Sequence, residues 1–251
     1  MSRSRESQES ETAHVHRLQG DDVLELRQVP LLSGLDSVTL ESIKGLLQVR
    51  KVSKGSYVVH KGSSGDHLLF ILSGRLQAVD ITDDGQEIGL SLLDTGDYFG
   101  EISIIDGLPR SASVVACENS VVGQLSKPHA QALIYQHPQV AERVLKRLAA
   151  GLRKASFHQA VISLPNAFQR VFTLLEHMAC DAPGGLRLIE KIPKQQEIAI
   201  MANTSRETVS RAINILIEQG AVHKDRRRLI VRKPDLLRNA ALGKVRFSKN
   251  S

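Results

Sequence analysis

The run Phe99-Gly100-Glu101-Ile102-Ser103-Ile104-Ile105-Asp106-Gly107-Leu108-Pro109-Arg110-Ser111-Ala112-Ser113-Val114 sets the architecture expected of the whole chain. A turn glycine leads into about one turn of predicted helix, Gly107 and Pro109 break it, and the stretch ends as a strand. That order leaves backbone N–H groups after Gly100 without helical acceptors, a place where an anion docks. Arg110 adds a planar, permanently charged fork suited to two phosphate oxygens, and Ser111 adds a hydroxyl donor. Glu101 only accepts when ionised, so its natural partner is a hydroxyl donor such as a sugar. The bland alternative is an exposed Glu101–Arg110 ion pair in a loop, worth roughly 0–1 kcal/mol. Too many residue types fall in order for that to be the whole account.

Around this run, residues 52–125 form short apolar segments punctuated by glycine roughly every ten residues, from Gly55 to Gly107. Tyr57-Val58-Val59, Leu68 to Leu72, Leu76 to Ile81 and Ile88 to Leu93 are strand-like in composition and length. Asp84-Gly85 is a two-residue hairpin signal. Regular strands and turns at this spacing predict an antiparallel sandwich or jelly-roll barrel. The pattern F-G-E-x7-P-R-S-A-S-V resembles the phosphate-binding cassette of cyclic-nucleotide-binding domains. Val59 to Asp66, Leu72-Ser73-Gly74 and Gly96 to Glu101 are similar to that fold in its usual order.

Helical spacing flanks the barrel on both sides. From Asp21 to about Arg50, Leu40, Ile43, Leu46 and Leu47 recur at helical intervals, and Pro30 divides the stretch into short helices. Pro138 suits the first turn of a long helix running to about Ser163. Along it, Ala141, Leu145, Leu148, Leu152, Ala155, Gln159 and Ile162 form a heptad seam with one polar break, which predicts a coiled-coil homodimer. The alternative is that this stripe packs only on its own barrel; against it, Arg143, Lys146, Arg147 and Arg153 are expected to leave the other faces solvated. Ser163-Leu164-Pro165-Asn166 then breaks the helix, with Asn166 a candidate N-cap, and the domain boundary is expected there.

Beyond that break, residues 167–181 read as a helix and Asp181 to Gly185 as a turn. Pro193 to Ala202 reads as a second helix, Asn203-Thr204 as a tight turn, and Ser205 to Gln219 as a third helix ended by Gly220. Helix, short turn and helix is the DNA-binding arrangement whose second helix enters the major groove. Ala221 to His223 and Leu229 to Arg232 flank Lys224-Asp225-Arg226-Arg227-Arg228, a predicted hairpin wing that places Lys224, Arg226, Arg227 and Arg228 toward phosphates. On the third helix, Arg206, Glu207, Ser210 and Arg211 share an exposed face, while Val209, Ala212, Ile213 and Leu216 face inward. Arginine reads guanine bidentately and glutamate accepts from cytosine, while Ser205 and Thr208 can hold phosphates at the helix start. By itself Glu207–Arg211 is equally an i,i+4 pair on a solvated face, worth about 0.3–0.5 kcal/mol.

Ser-Arg-Glu-Thr-Val-x-Arg following Gln196-Glu197-Ile198-Ala199 resembles the recognition helix of bacterial Crp/Fnr-family regulators, and the resemblance covers about residues 25–235. It implies that Gly100, Glu101, Ile102, Arg110, Ser111 and Ala112 bind the cyclic phosphate and ribose. It also implies that Arg206, Glu207 and Arg211 read a TGTGA-like half-site and that RNA polymerase is a partner. In the cAMP-binding members a threonine and then a serine on the long helix contact adenine across the dimer. Ungapped matching puts Ala155 and Ser156 there, so one adenine-reading hydroxyl is missing. The expected ligand is cAMP, with cyclic di-GMP, or no nucleotide at all, as the alternatives that other family members suggest.

Composition agrees with this class and narrows it. The chain has 251 residues, enough for two domains, with 41% hydrophobic and 24% charged residues, an ordinary soluble balance. Residues 222–251 carry ten Lys/Arg against two Asp/Glu, leaving 23 against 25 in residues 1–221. Positive charge gathered at one end points to double-stranded DNA, although a basic tail that merely aids solubility has the same signature. Cys117 and Cys180 form no metal or CxxC spacing, no metal is expected, and two cysteines suit a reducing cytoplasm. Apolar runs are too short to span a membrane, and with no apolar stretch near Met1 no secretory signal is expected. No Ser/His/Asp order or P-loop suggests an enzyme; the remaining rival is a regulatory subunit that binds no DNA. The expected fold is α+β: a disordered tail (1–20), a jelly-roll cyclic-nucleotide-binding domain (21–137), a dimerisation helix (138–164), a winged helix-turn-helix domain (165–235) and a basic tail (236–251).

Overall fold

In the computed structural model, which describes residues 23–81, 87–245 and 247, the run Leu68 to Leu72 lies in strand β3 (His67–Ser73) and is buried throughout. Leu69 and Ile71 pack between two sheets, whereas Leu68, Phe70 and Leu72 pack under helices. Burial on both faces explains why this strand is a continuous apolar run and not an alternation. Each such side chain contributes about 1.5–3 kcal/mol of burial.

Both sheets are antiparallel and four-stranded. One has the order β1 (Gln48–Val52), β8 (Ser120–Ser126), β3, β6 (Tyr98–Phe99). The other has β2 (Tyr57–Val59), β7 (Ser113–Ala116), β4 (Arg75–Ile81), β5 (Glu87–Asp94). Val58, Leu76, Leu93, Phe99 and Val114 fill the space between them. On the outer face of the first sheet lie α1 (Val23–Gln28), α2 (Ser37–Leu46), α4 (Lys127–Gln136) and the start of α5 (Pro138–Ile162). Ile104 of α3 (Glu101–Asp106) joins the same core. The helical reading to Arg50 is corrected: the helix ends at Leu46 and Gln48–Val52 is strand, because β8 supplies partners from Gln48↔Gln124 to Val52↔Ser120. Asp84-Gly85 and residues 1–20 lie outside the described residues. On either side of the former, β4 and β5 pair antiparallel from Arg75↔Asp94 to Ile81↔Glu87.

The described residues divide into two compact units between Leu148 and Ala149, within the continuous helix α5. Leu148 packs on the first unit's core, but Leu145 is 65% and Leu152 70% exposed. Packing on its own barrel therefore does not account for the apolar stripe. Arg143 and Arg147 also depart from the solvated-face expectation. Arg143 donates from Nη1 to the Leu31 carbonyl at 3.1 Å, and Arg147 turns toward α3.

The second unit packs α6 (Ala167–Met178), α7 (Gln195–Met201) and α8 (Arg206–Glu218) against a sheet. Its strand order is β11 (Val222–Asp225), β12 (Arg228–Val231), β10 (Leu186–Ile189), β9 (Cys180–Ala182). Asp181 to Gly185 is thus only partly a turn: β9 and β10 pair across Pro183–Gly185, where Gly184 and Gly185 take φ of 80° and 72°. The expected tail from 236 is corrected as well. Pro234–Ala241 forms α9, whose Leu237 and Ala240 are buried, and Arg238 faces Glu176 of α6 at 3.8 Å.

Arg170 of α6 clamps this unit. It donates to three carbonyls, Leu164 O at 2.8 Å, Ala202 O at 2.6 Å and Asn203 O at 2.9 Å. Charge-assisted bonds of this kind contribute about 1.5–3 kcal/mol, and they do not add fully. Arg170→Met is expected to destabilise the protein by about 2–4 kcal/mol by urea unfolding; an unchanged midpoint would show the clamp to be dispensable.

Candidate functional site

Two sites are assembled, one in each unit. In the first, Gly100 precedes α3 with φ 86°, a conformation that suits glycine. A Cβ there would lie 2.0 Å from Arg110 Nη1 and 3.1 Å from the His67 carbonyl, so space and backbone both demand glycine. Arg110 is 5% exposed and donates to Gly100 O at 3.1 Å and to His67 O at 2.6 Å. Its Nε is buried and has no partner among the described residues. Burial pushes the guanidinium below its ordinary value, opposed by Asp66 and Glu101, but an arginine stays protonated.

A pocket opens beside these groups, lined by Val59, Ala78, Ser91, Leu93, Phe99 and Val114 from the strands. Gly100, Glu101, Ile102, Arg110, Ser111 and Ala112, the six expected ligand residues of the barrel, line it too. Glu101 is 7% exposed, Ile102 and Ser111 are exposed, and Ala112 is half-buried. Apolar walls, one buried guanidinium with a spare N–H and one carboxylate fit an anionic, hydroxyl-bearing ligand of nucleotide type. Ala155 and Ser156 are exposed on α5 in the second unit. Among the polar lining residues, Ser91, Ser103 and Arg147 escaped sequence reasoning. Ser91 sits in an alternating strand like any other serine, and Arg147 looked like part of a charged helix face.

The second unit presents the helix-turn-helix. Asn203, at φ 44°, makes the tight turn between α7 and α8. The Ser205 hydroxyl caps α8, accepting from the Thr208 backbone N–H at 3.2 Å. Arg206, Glu207 and Arg211 are exposed on one face, opposite the buried Val209, Ala212, Ile213 and Leu216. Hydrogen bonds from its own backbone N–H and the Ser205 hydroxyl, with Arg206 and Arg211 nearby, hold the Glu207 carboxyl below its ordinary range. Thr208 is tied into the start of α8. It is only 9% exposed, and its hydroxyl lies 3.1 Å from Ser205 Oγ and accepts from Arg211 Nη2 at 3.4 Å. In the wing, Lys224, Arg226 and Arg227 are exposed, Arg226 turns the hairpin at φ 50°, and Arg228 pairs with Glu190 at 3.0 Å.

Residues 49–137 match the cyclic nucleotide-binding domain, and residues 169–240 match the Crp-like helix-turn-helix domain. The chain is 34% identical over 214 residues to the cyclic AMP receptor protein of Thermus thermophilus, spanning 85% of this chain and 97% of that one. The chain belongs to the Crp family. It is a cyclic-nucleotide-binding transcription regulator with a helix-turn-helix. Within the Crp family it is also 25% identical over 220 residues to the CRP-like cAMP-activated global transcriptional regulator of Mycobacterium tuberculosis, covering 86% of this chain and 98% of that one. The crystal structure of the Thermus thermophilus catabolite activator protein matches with a TM-score of 0.50 at 32% identity, over 86% of this chain and all of that one. Among the described residues of this Crp-family regulator, no helix is long and apolar enough to cross a membrane, and no group of three or more His, Cys, Asp or Glu is placed to hold a metal.

Proposed function

We propose that this regulator is a cytoplasmic homodimer, not an enzyme, that binds cAMP in the barrel and then a palindromic DNA operator. The observation that carries the ligand reading is Arg110, a buried guanidinium in the pocket wall with Nε unpartnered. It suits a cyclic phosphate, with Ser111 beside it and Glu101 accepting from the ribose. The apolar seam exposed at Leu145 and Leu152 supports a dimer built along α5. Two recognition helices about 34 Å apart then meet successive major grooves, with RNA polymerase as a further partner. Ligand gating follows if the bound nucleotide has a higher affinity for one arrangement of the dimer than for the other.

A second reading has its own observation. The family resemblance sets Ala155 and Ser156 of one subunit against the base held by the other, and Ala155 has no polar atom to offer an exocyclic amine. A site without a dedicated polar partner discriminates only about tenfold to a few hundredfold. Calorimetry is therefore expected to find cAMP and cGMP within roughly a hundredfold of each other. Ala155→Thr is expected to widen the gap toward cAMP by about 0.5–1.5 kcal/mol, one hydrogen bond. Tight binding of cyclic di-GMP with neither mononucleotide bound would replace the cAMP reading.

A further inference from the structure

The first turn of α6 carries an aromatic ring against the recognition helix. The Arg211 guanidinium carbon lies 5.8 Å from the centre of the Phe168 ring. Its Nη2 also donates to Thr208 Oγ1 at 3.4 Å, a long bond directed back toward the start of α8. The ring itself is fixed from several sides. The Phe168 backbone N–H donates to the Asn166 cap at 2.9 Å, and its ring centre lies 6.4 Å from that of the buried Phe172. Phe247, beyond α9, meets Phe172 edge-on at 5.6 Å and 74°. Two residues after Phe168, Arg170 bonds the Ala202 and Asn203 carbonyls in the turn that leads into α8. Phe168 is therefore a fixed, half-buried surface, and Arg211 is an exposed cation resting on it. Such a hold is weaker than a bidentate guanine contact but comparable with one phosphate contact screened by salt.

We propose that Phe168 is a positioning residue for Arg211. In the DNA-free protein its ring parks the guanidinium against α6, withholds it from phosphates, and releases it only to a base pair that accepts two hydrogen bonds. The inference rests on the base-reading role of Arg211 and adds to it the residue that governs when this arginine reaches DNA.

The test uses the full chain with saturating cAMP, a duplex carrying two TGTGA-like half-sites and a random duplex of the same length, each titrated at several salt concentrations. The proteins are the wild type, Phe168→Leu, Phe168→Tyr, Arg211→Ala and the Phe168→Leu/Arg211→Ala double variant, with urea unfolding of each without DNA. Phe168→Leu is expected to bind both duplexes about two- to fivefold more tightly, the worth of the ring contact. On the random duplex its salt dependence is expected to steepen by about one phosphate contact. On the operator it is expected to stay as in the wild type, because there Arg211 reads a base in both proteins. Phe168→Tyr keeps the ring face and is expected to match the wild type on both duplexes. With Arg211→Ala already present, Phe168→Leu is expected to change neither affinity nor salt dependence. In unfolding, Phe168→Leu is expected to lower the midpoint less in the Arg211→Ala background than in the wild type, the mark of a coupled pair. Weaker binding of both duplexes by Phe168→Leu, an unchanged salt dependence on the random duplex, or the same changes in the Arg211→Ala background would overturn the proposal. If the wild type binds neither duplex, the functional reading falls. The unfolding cycle needs no DNA and still decides whether Phe168 holds Arg211.

Discussion

Arg110→Leu is expected to cut cyclic-nucleotide affinity at least 10- to 150-fold, a loss of about 1.5–3 kcal/mol or more. Leucine removes the guanidinium from a pocket whose remaining walls are largely apolar, so a bound phosphate would be desolvated with little to replace its water. Because Arg110 also ties Gly100 O to His67 O, part of the effect falls on the backbone turn that shapes the site. Arg110→Lys separates the two contributions: it returns the charge but cannot span both carbonyls while meeting the ligand. Gly100→Ala tests the same turn from the other side, since its Cβ would collide with Arg110 Nη1 at 2.0 Å. Both Arg110→Lys and Gly100→Ala are expected to bind between the wild type and Arg110→Leu. Ordinary affinity in folded Arg110→Leu, measured by calorimetry with circular dichroism as the control, would remove the phosphate from this site.

Arg211→Ala is expected to weaken operator binding by about 1–3 kcal/mol and to relax preference at one base pair, the signature of a base-reading arginine. The side chain is exposed on α8 and rests near the Phe168 ring, 5.8 Å from its centre, with a long hydrogen bond to Thr208. Leaving the ring costs about 0.5–1 kcal/mol, so the measured loss understates the contact made on DNA. Arg227→Ala in the wing provides the contrast. It is expected to weaken all sequences alike and to lower the salt dependence by about one phosphate contact. Binding to base-substituted operators at several salt concentrations separates the two; uniform loss in both variants would make Arg211 a phosphate contact.

What the chain discloses before folding is local. Gly100 and Gly107 bound α3 because a positive φ suits glycine, Ser205 and Gly220 bound the recognition helix because they complete its ends, and Val209 to Leu216 show the period of a one-sided helix. The continuous apolar run of β3 likewise signals a strand covered on two faces. These features follow from a residue and its near neighbours, so spacing was enough to recover them.

Tertiary structure decided what depends on distant partners. β1 exists because β8 offers it a ladder 70-odd residues away, against a helical spacing that was genuine only as far as Leu46. β9 and β10 are too short to register until β12 pairs with β10 and β10 with β9. α9 sits in a C-terminal stretch with a basic balance, and the burial of Leu237 and Ala240 is what separates it from a solvated tail. Arg147 is the sharpest case. On a helical wheel it is one cation among several, and only the folding of α5 against the barrel brings it beside Glu101 and Tyr98. Sequence periodicity reports which face of an element is apolar; the partner met by a charged side chain depends on which other segment arrives there, and that is a property of the packed chain.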